Sequence, residues 1–181
     1  MRILGIDPGS VVTGWGVVHH GEGSALHVAH GVLRPERGGA MPDRLAFIHA
    51  GLVEVIREHV PEIAVVERVF VAVNPRSALV LGQARGVALA ALGAAGIVVE
   101  EVAAREVKQA LVGSGAASKQ QIQRMVMELL SLEEKPPVDA ADALAAAICA
   151  AHRNKLATLG VKRRSGSGRR RAGSWRVRRA R

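Results

Sequence analysis

The sequence predicts an α/β fold in which a mixed five-stranded sheet is flanked by helices. Three observations support this fold class. The chain opens with three apolar strand patterns joined by short glycine-rich connections, as expected for antiparallel neighbours. Helical patterns and short apolar strands then alternate, which is typical of parallel strands joined by helices. Finally, 181 residues, 49% of them hydrophobic, are enough for one domain with a substantial core.

Five strands are expected from short runs of β-branched and other apolar residues. The turn Pro8-Gly9-Ser10 and the other short connections favour an antiparallel meander for the first three strands. The last two strands each follow a helix, so we expect them to be parallel to a neighbour. The five strands are expected at residues 2–7, 13–20, 25–33, 63–67 and 97–102.

Five helices are expected between and after these strands. The first has an apolar stripe at helical spacing and is stopped by Pro61. The second is apolar nearly all round, which indicates burial on more than one side. The sequence Ser118-Lys-Gln-Gln121 has the form of a capping box and predicts the start of the fourth. The helices are expected at residues 42–60, 75 into the nineties, 104–112, 118–131 and 139–155.

The net charge of +9 is concentrated at the end of the chain. Residues 160–181 hold ten of the 25 Lys and Arg and none of the 16 Asp and Glu, which leaves residues 1–159 with a net charge of −1. We therefore expect a domain at residues 1–158 and a basic, disordered tail at residues 159–181. Nucleic-acid binding by the domain must depend on where its own basic residues lie.

The remaining composition excludes several classes of protein. The single cysteine, Cys149, cannot form an internal disulfide and fits a reducing cytoplasm. We expect no membrane span, because the apolar stretches are short or interrupted. The apolar part of residues 1–7 is too short for a signal peptide.

Four carboxylates have the spacing that a buried two-metal site needs. Asp7 and Glu67 each end an apolar strand, and neither apolar run contains a Lys or Arg that could pair with the acid. Three of the acids also have a simpler explanation: Asp7 as a turn residue, Asp139 as a helix N-cap, and Glu67 as a partner of Arg68 or another neighbour. Taken together, however, the strand-ending acids favour a shared metal ion.

The second pair of acids, Asp139 and Asp142, starts an alanine-rich helix. Residues three apart on a helix share a face, so both can point at the ends of the first and fourth strands. The alanines keep the helix thin and allow it to approach the sheet. Oxygen ligands of this kind suit Mg²⁺ or Mn²⁺. Four of them around two ions fit in-line displacement at a phosphodiester.

Five ordered motifs within about residues 1–155 resemble the RuvC family of Holliday-junction resolvases. They agree with the family in order and spacing, which makes the resemblance far more specific than any one motif. The motifs are Gly5-Ile-Asp7-Pro-Gly-Ser10 with Thr13-Gly14, Val66-Glu67-Arg68-Val69-Phe70, Ser77-Ala-Leu79 with Leu81-Gly-Gln-Ala-Arg-Gly86, Val107-Lys108-Gln109, and Asp139-Ala-Ala-Asp142-Ala-Leu144.

The resemblance implies a fold and an activity. It implies an RNase H-like fold and a bacterial, cytoplasmic homodimer that is associated with the nucleoid when it acts. It cuts four-way DNA junctions by paired symmetric nicks in homologous recombination and DNA repair. The reaction uses Mg²⁺, which Mn²⁺ can replace, with two ions per site during catalysis. The partner is the RuvA–RuvB branch-migration complex. Asp7, Glu67, Asp139 and Asp142 are the implied metal-binding catalytic acids.

The resemblance also implies DNA-contacting residues. Lys108 and Lys119 match basic positions near the scissile phosphate, and Phe70 matches an aromatic residue that contacts junction bases. From the sequence alone, the lysines could lie on a solvated helix face and Phe70 could belong to the core. Arg76 and Arg85 could contact phosphate or simply decorate the second helix; we include Arg76 among the candidate DNA contacts.

A junction with two-fold symmetry suits a symmetric dimer. We expect the second helix to form the interface, since Gly82 and Gly86 would let a partner helix approach closely. The alternative is burial against the sheet of the same chain. The arginine-rich tail departs from the family pattern, and we expect it to anchor DNA without reading sequence, with Trp175 free to stack.

Three other functions remain open. Gly-Ile-Asp-Pro-Gly-Ser followed by Thr-Gly also resembles the first phosphate loop of the actin, sugar-kinase and heat-shock ATPase fold, although we find no second loop. The basic tail could belong to a non-catalytic junction-binding or DNA-packaging protein. A related nuclease acting on RNA or other branched DNA is the third.

Overall fold

The structure, a computed structural model, describes residues 1–21, 24–68 and 74–158, with side chains described in the last helix as far as Arg153. Phe70 and the tail at residues 159–181 therefore lie outside the described residues. The strands are β1 (Arg2–Asp7), β2 (Thr13–Gly21), β3 (Ser24–Leu33), β4 (Ile63–Glu67) and β5 (Val98–Val102). The helices are α1 (Met41–His59), α2 (Pro75–Ala94), α3 (Ala104–Val112), α4 (Lys119–Leu130) and α5 (Val138–Thr158).

The five strands form one mixed sheet in the order β3-β2-β1-β4-β5. The β1–β2 and β2–β3 pairs are antiparallel, whereas β1–β4 and β4–β5 are parallel. This arrangement confirms the predicted fold class. It also places the C-terminal ends of β1 and β4 side by side, with Ile6 opposite Val66. The acids that follow these two residues are thereby brought to the same edge of the sheet.

Helix boundaries follow the local chemistry of the sequence. Helix α1 has Pro42 in its first turn and buries Ile48, Leu52 and Val55 on one side. It ends at Val60, whose φ of 44° is left-handed, just before Pro61. In α4 the Ser118 hydroxyl accepts a hydrogen bond from the Gln121 N–H, and the Gln121 side chain accepts one from the Ser118 N–H. The predicted capping box is confirmed.

Helix α5 lies unusually close to one face of the sheet. Its alanines from Ala143 to Ala147 are buried. A Cβ atom added at Gly5 would collide with the Ala143 carbonyl, and one added at Gly14 would collide with the Asp139 carbonyl. Small residues on both the helix and the sheet thus permit the close approach that the alanine-rich sequence predicted. The contact fixes the start of α5 above the end of β1 and the start of β2.

Helix α2 packs on the other face of the sheet and leaves much of its apolar surface in solvent. Its buried residues are Ala84, Ala88, Ala91 and Leu92, whereas Leu79 is 71% exposed. Within the described chain, burial is therefore confined to one side, and the expectation of burial on several sides is not met by this chain alone. Among the described helices α2 alone is long and apolar enough to cross a membrane by length and composition, which is weak evidence of a span.

Candidate active site

Three of the four predicted acids line one cleft at the C-terminal edge of β1 and β4. Asp7 and Glu67 reach it from the last residues of these strands, and Asp142 reaches it from the second turn of α5. The cleft has a volume of about 240 Å³. Its apolar wall includes Ile6 and Ala145. These apolar side chains keep bulk water away from one side of the carboxylates.

The fourth acid, Asp139, lies beside the cleft. It is in the first turn of α5, where its main-chain carbonyl packs against Gly14. Gly14 is the β2 partner of Asp7. The negative charge of Asp139 is close enough to raise the pKa of both Asp7 and Asp142. The structure therefore gathers all four acids into one electrostatic site, with Asp139 at its rim.

The carboxylates in the cleft are hard to ionise together. Burial is the largest cause, and it raises the pKa of Asp7 to about 7 from an ordinary value of 3.8. The charges of the three other acids act in the same direction, in the order Asp142, Glu67, Asp139. Burial also raises the pKa of Glu67 and of Asp142. A cation bound among these groups would relieve both the desolvation and the repulsion.

Two lysines supply positive charge to the cleft. The Nζ atom of Lys119, at the start of α4, lies 3.4 Å from Oδ2 of Asp142. This neighbour raises the pKa of Lys119, while the ammonium group offsets part of the burial-driven rise in the pKa of Asp142 and Glu67. Lys108 reaches the cleft from α3 and also lowers the pKa of Glu67. Both lysines therefore line the same cleft as the acids, and their contact with DNA stays a prediction.

The turn after Asp7 is held by contacts that the sequence did not reveal. The buried Thr13 hydroxyl donates to the Gly9 carbonyl at 2.7 Å and accepts from the Gly9 N–H at 3.2 Å. Arg44 of α1 donates through Nε to the Ser10 carbonyl at 3.0 Å. These bonds fix the backbone that follows Asp7. The buried Thr13 in the Thr-Gly motif was the one available signal.

Arg76 is not brought to the acidic cleft. It is exposed in the first turn of α2, where its N–H donates to the Asn74 side chain. With Ser10 and Ser77 it lines a separate open depression of about 450 Å³. Its contact with DNA stays a prediction, as does that of Phe70, which lies outside the described residues.

Arg85 forms contacts within the protein, whereas the sequence left it as either a phosphate contact or a surface residue of the second helix. Its Nη2 atom forms an ion pair with Oε1 of Glu101 at 2.8 Å, and its side chain is 19% exposed. Its Nε atom lies 3.4 Å from the main-chain oxygen of Glu67, which it faces as a donor. The sequence pattern could not reveal this pairing, because the partners come together only when α2 packs on the sheet.

The donor set fits a hard divalent cation. Among the described residues, no three acidic, histidine or cysteine side chains are arranged to hold a metal ion as they stand. Yet the ligands that the cleft offers are carboxylate oxygens, and the raised pKa of Asp7 reflects burial first and repulsion second, both of which such an ion would offset. Ligands of this kind select Mg²⁺ or Mn²⁺ over softer transition metals. Asp7, Glu67, Asp139 and Asp142 are the residues that could hold the ion.

Comparisons with known proteins agree with this geometry. Residues 3–150 match the family model described as Crossover junction endodeoxyribonuclease RuvC. A curated protein of that name from Burkholderia pseudomallei is 52% identical over 161 residues, which cover 88% of this chain and 89% of the relative. Another, from Hyphomonas neptunium, is 51% identical over 152 residues, covering 84% of this chain and 91% of the relative.

Solved structures give the same result. The structure described as "T. thermophilus RuvC in complex with Holliday junction substrate" has a TM-score of 0.81 and 36% identity, over 87% of this chain and 97% of that one. The yeast mitochondrial resolvase Ydc2 has a TM-score of 0.61 and 14% identity, over 87% of this chain and 81% of that one. The second similarity extends to the fold alone.

Proposed function

Because this chain belongs to the RuvC family of crossover junction endodeoxyribonucleases, we propose that its acidic cleft is the site at which the strands of a four-way junction are cut. The protein is a nuclease that hydrolyses DNA phosphodiester bonds and resolves Holliday junctions. This membership decides against the ATPase, the non-catalytic binder and the RNA nuclease as alternatives. The details of site, metal and assembly that follow are our proposal.

The observation that carries the proposal is the convergence of charge at one edge of the sheet. Asp7, Glu67 and Asp142 share a cleft, Asp139 stands at its rim, and the pKa of Asp7 is raised to about 7. A cluster of half-buried acids is costly to a protein unless it binds a cation. Acids with raised pKa values, in a cleft that two lysines also line, are suited to bind a metal ion and a phosphate group.

We assign the chain's residues the following roles. The four acids hold Mg²⁺, which Mn²⁺ can replace. Two such ions, when bound, supply an activated water and stabilise the leaving oxygen of an in-line displacement. Lys119 exchanges its contact with Asp142 for one with a phosphate oxygen beside the scissile bond. Lys108, on the α3 side of the cleft, holds a second phosphate oxygen.

Residues outside the cleft are assigned further contacts with the DNA. Arg76 is exposed at the start of α2 and is free to meet a backbone phosphate. We propose that Phe70, at the junction centre, contacts unpaired bases. We retain residues 1–158 as the nuclease domain and residues 159–181 as a basic tail that anchors DNA electrostatically without reading sequence.

We also propose a symmetric homodimer assembled through α2. The exposed face of this helix is apolar at Leu79, and Gly82 and Gly86 have no described atom within 4 Å of an added Cβ. A second copy packed there would cover this surface and present two equivalent cleavage sites to a two-fold symmetric junction. The dimer acts in the bacterial cytoplasm, associated with the nucleoid, with a RuvA–RuvB branch-migration complex as its partner.

The activity is tested with a synthetic four-way junction labelled on each strand in turn. We expect Mg²⁺-dependent nicks at symmetric positions on two opposing strands, and much slower cleavage of a linear duplex of the same sequence. Asp7→Asn should bind the junction and leave it uncut. Equal cleavage of linear and branched DNA, or ATP-dependent activity, would contradict the proposal.

A further inference from the structure

The edge strand β5 is joined to helices on both faces of the sheet by two consecutive acids. Glu101 forms the 2.8 Å ion pair with Arg85 of α2, and Glu100 forms a 3.2 Å ion pair with Arg153 of α5. Successive residues of a strand point to opposite faces. The Arg85–Glu101 pair therefore lies on the α2 face, and the acidic cleft lies on the α5 face.

Arg85 makes a second contact, with the main chain of a residue whose side chain lines the cleft. Its Nε atom is 3.4 Å from the main-chain oxygen of Glu67, whose carboxylate is on the cleft side. The cations that lower the pKa of that carboxylate are Lys119 and Lys108. Arg85 thus contacts the Glu67 main chain from the α2 face of the sheet, whereas the two lysines act on the charge of the Glu67 carboxylate.

The end of β4 needs such support. The ladder between β1 and β4 ends at the Ile6–Val66 pair, so Glu67 is paired only towards β5, opposite Val102. One further backbone bond, from the Arg68 N–H to the Val102 carbonyl at 2.7 Å, follows it. A strand end paired on one side is free to fray, and fraying here would swing the Glu67 carboxylate out of the cleft.

We propose that Arg85 is a positioning residue for the nuclease reaction, which holds the end of β4 so that Glu67 keeps its place among the metal ligands. It acts through the Glu67 main chain and through Glu101, which Arg68 also approaches at 3.8 Å. The inference rests on the proposed function, because it assumes that Glu67 binds the catalytic metal. Helix α2, the proposed dimer face, is by this contact joined directly to a catalytic acid.

Loss of the support should reduce cleavage and leave binding nearly intact. A misplacement of about 1 Å can cost on the order of 10²-fold in rate, so we expect Arg85→Ala to lower the single-turnover rate by about 10- to 100-fold. The Mg²⁺ concentration for half-maximal rate should rise several-fold, since one ligand is less well held. The junction Kd, measured in EDTA, should change by less than about threefold, because the Arg85 side chain is paired with Glu101 and only 19% exposed.

Two further variants separate positioning from a general loss of structure. Arg85→Lys retains the charge, yet a single ammonium cannot reach Glu101 and the Glu67 carbonyl with the same fork geometry. It should show an intermediate rate and an intermediate Mg²⁺ requirement. Glu101→Gln leaves Arg85 in place, weakens its anchor, and should raise the Mg²⁺ requirement in the same direction. The matched control is Arg124→Ala, which removes an exposed ion pair to Glu128 of 3.1 Å on α4 and should behave as wild type.

The outcomes divide as follows. A raised Mg²⁺ requirement in Glu101→Gln and Arg85→Lys, with junction Kd retained, supports the proposal even if Arg85→Ala does not fold. An unchanged Mg²⁺ requirement in these two variants overturns it. A weaker junction Kd at an unchanged rate also overturns it, since Arg85 would then be a phosphate contact. If wild type fails to cut junctions at all, the proposed function itself has failed.

Discussion

The Nζ atom of Lys119 lies 3.4 Å from Oδ2 of Asp142. The lysine side chain is 75% exposed, so this pair is easily broken when a phosphate or a metal ion competes for either partner. The same ammonium opposes the rise that burial causes in the pKa of Asp7 and of Glu67. Lys119 is therefore one of two positive charges in the cleft, and under the proposed function it would connect metal binding to DNA binding.

Removing this charge should affect the two ligands in opposite directions. In Lys119→Ala, without DNA and at about pH 8.5, Mg²⁺ should bind severalfold more tightly, because a competing cation is gone. Junction binding should weaken, and the slope of log K against log salt should fall by about 0.9 for the one lost contact. Calorimetric Mg²⁺ titration and junction binding at several salt concentrations measure these effects. Weaker Mg²⁺ binding together with an unchanged salt slope would contradict this role.

The raised pKa of Asp7 predicts that the metal-free protein loses stability as pH rises. An acid whose pKa is higher in the folded state keeps its proton longer there than in the unfolded chain. Stability should therefore fall between about pH 4 and pH 7, the ordinary and the folded pKa of Asp7. In Asp7→Asn the loss of unfolding free energy over this range should be smaller than in wild type. The difference should be on the order of 1–2 kcal/mol after allowance for solvent screening. Urea unfolding in EDTA at pH 5 and pH 8 measures it; identical losses would contradict the shift.

Mg²⁺ should move the pH dependence of cleavage. Carboxylates bind a metal ion only when deprotonated, so protons and Mg²⁺ should compete for the oxygens of the cleft acids. At subsaturating Mg²⁺ the rate should fall as pH drops below about 7, where Asp7 takes up its proton. Saturating Mg²⁺ should shift this midpoint to lower pH. A midpoint independent of Mg²⁺ would show that the titrating group is not a metal ligand.

The contact between α5 and the sheet should tolerate no added atom at Gly5. A Cβ there would overlap the Ala143 carbonyl, so Gly5→Ala should either destabilise the protein by about 2–3 kcal/mol or move α5. Gly93→Ala, in α2, is the control, because no described atom lies within 4 Å of its added Cβ. It should be neutral or stabilising by up to about 1 kcal/mol. Thermal unfolding compares the pair, and equal effects would contradict the close approach.

The proposed dimer face is tested at Leu79, which is 71% exposed. Leu79→Glu places two like charges near the two-fold axis and should shift the protein from dimer to monomer in sedimentation velocity at micromolar concentration. The fold of each chain should be retained, because the side chain has little contact with its own core. Phe47→Glu, on the exposed side of α1, is the matched control and should leave the mass unchanged. A monomeric wild type would remove the prediction.

The sequence was most informative where a local pattern determines the structure. Asp7 and Glu67 could be placed because each ends an apolar run, and Asp139 and Asp142 because i, i+3 residues share a helix face. The mixed sheet followed from the alternation of strands and helices. Family motifs added Lys108 and Lys119, whose spacing alone does not distinguish them from surface lysines.

The remainder depends on contacts between distant parts of the chain. Arg85 was left open as a phosphate contact or helix decoration, because its pairing with Glu101 exists only after α2 packs on the sheet. Arg44 and Thr13 support the turn after Asp7 for the same reason. The sequence predicted burial of α2 on more than one side, and the single chain leaves the apolar surface of this helix exposed at Leu79.

Single-turnover cleavage of a four-way junction by four variants tests the central claim most directly: Asp7→Asn, Glu67→Gln, Asp139→Asn and Asp142→Asn. If the acids act as one metal site, each variant should lose at least about 100-fold in rate while binding the junction as wild type does. Asp139→Asn is the most informative, because Asp139 stands at the rim of the cleft. Near wild-type rates in any two variants, at saturating Mg²⁺, would contradict a shared metal site.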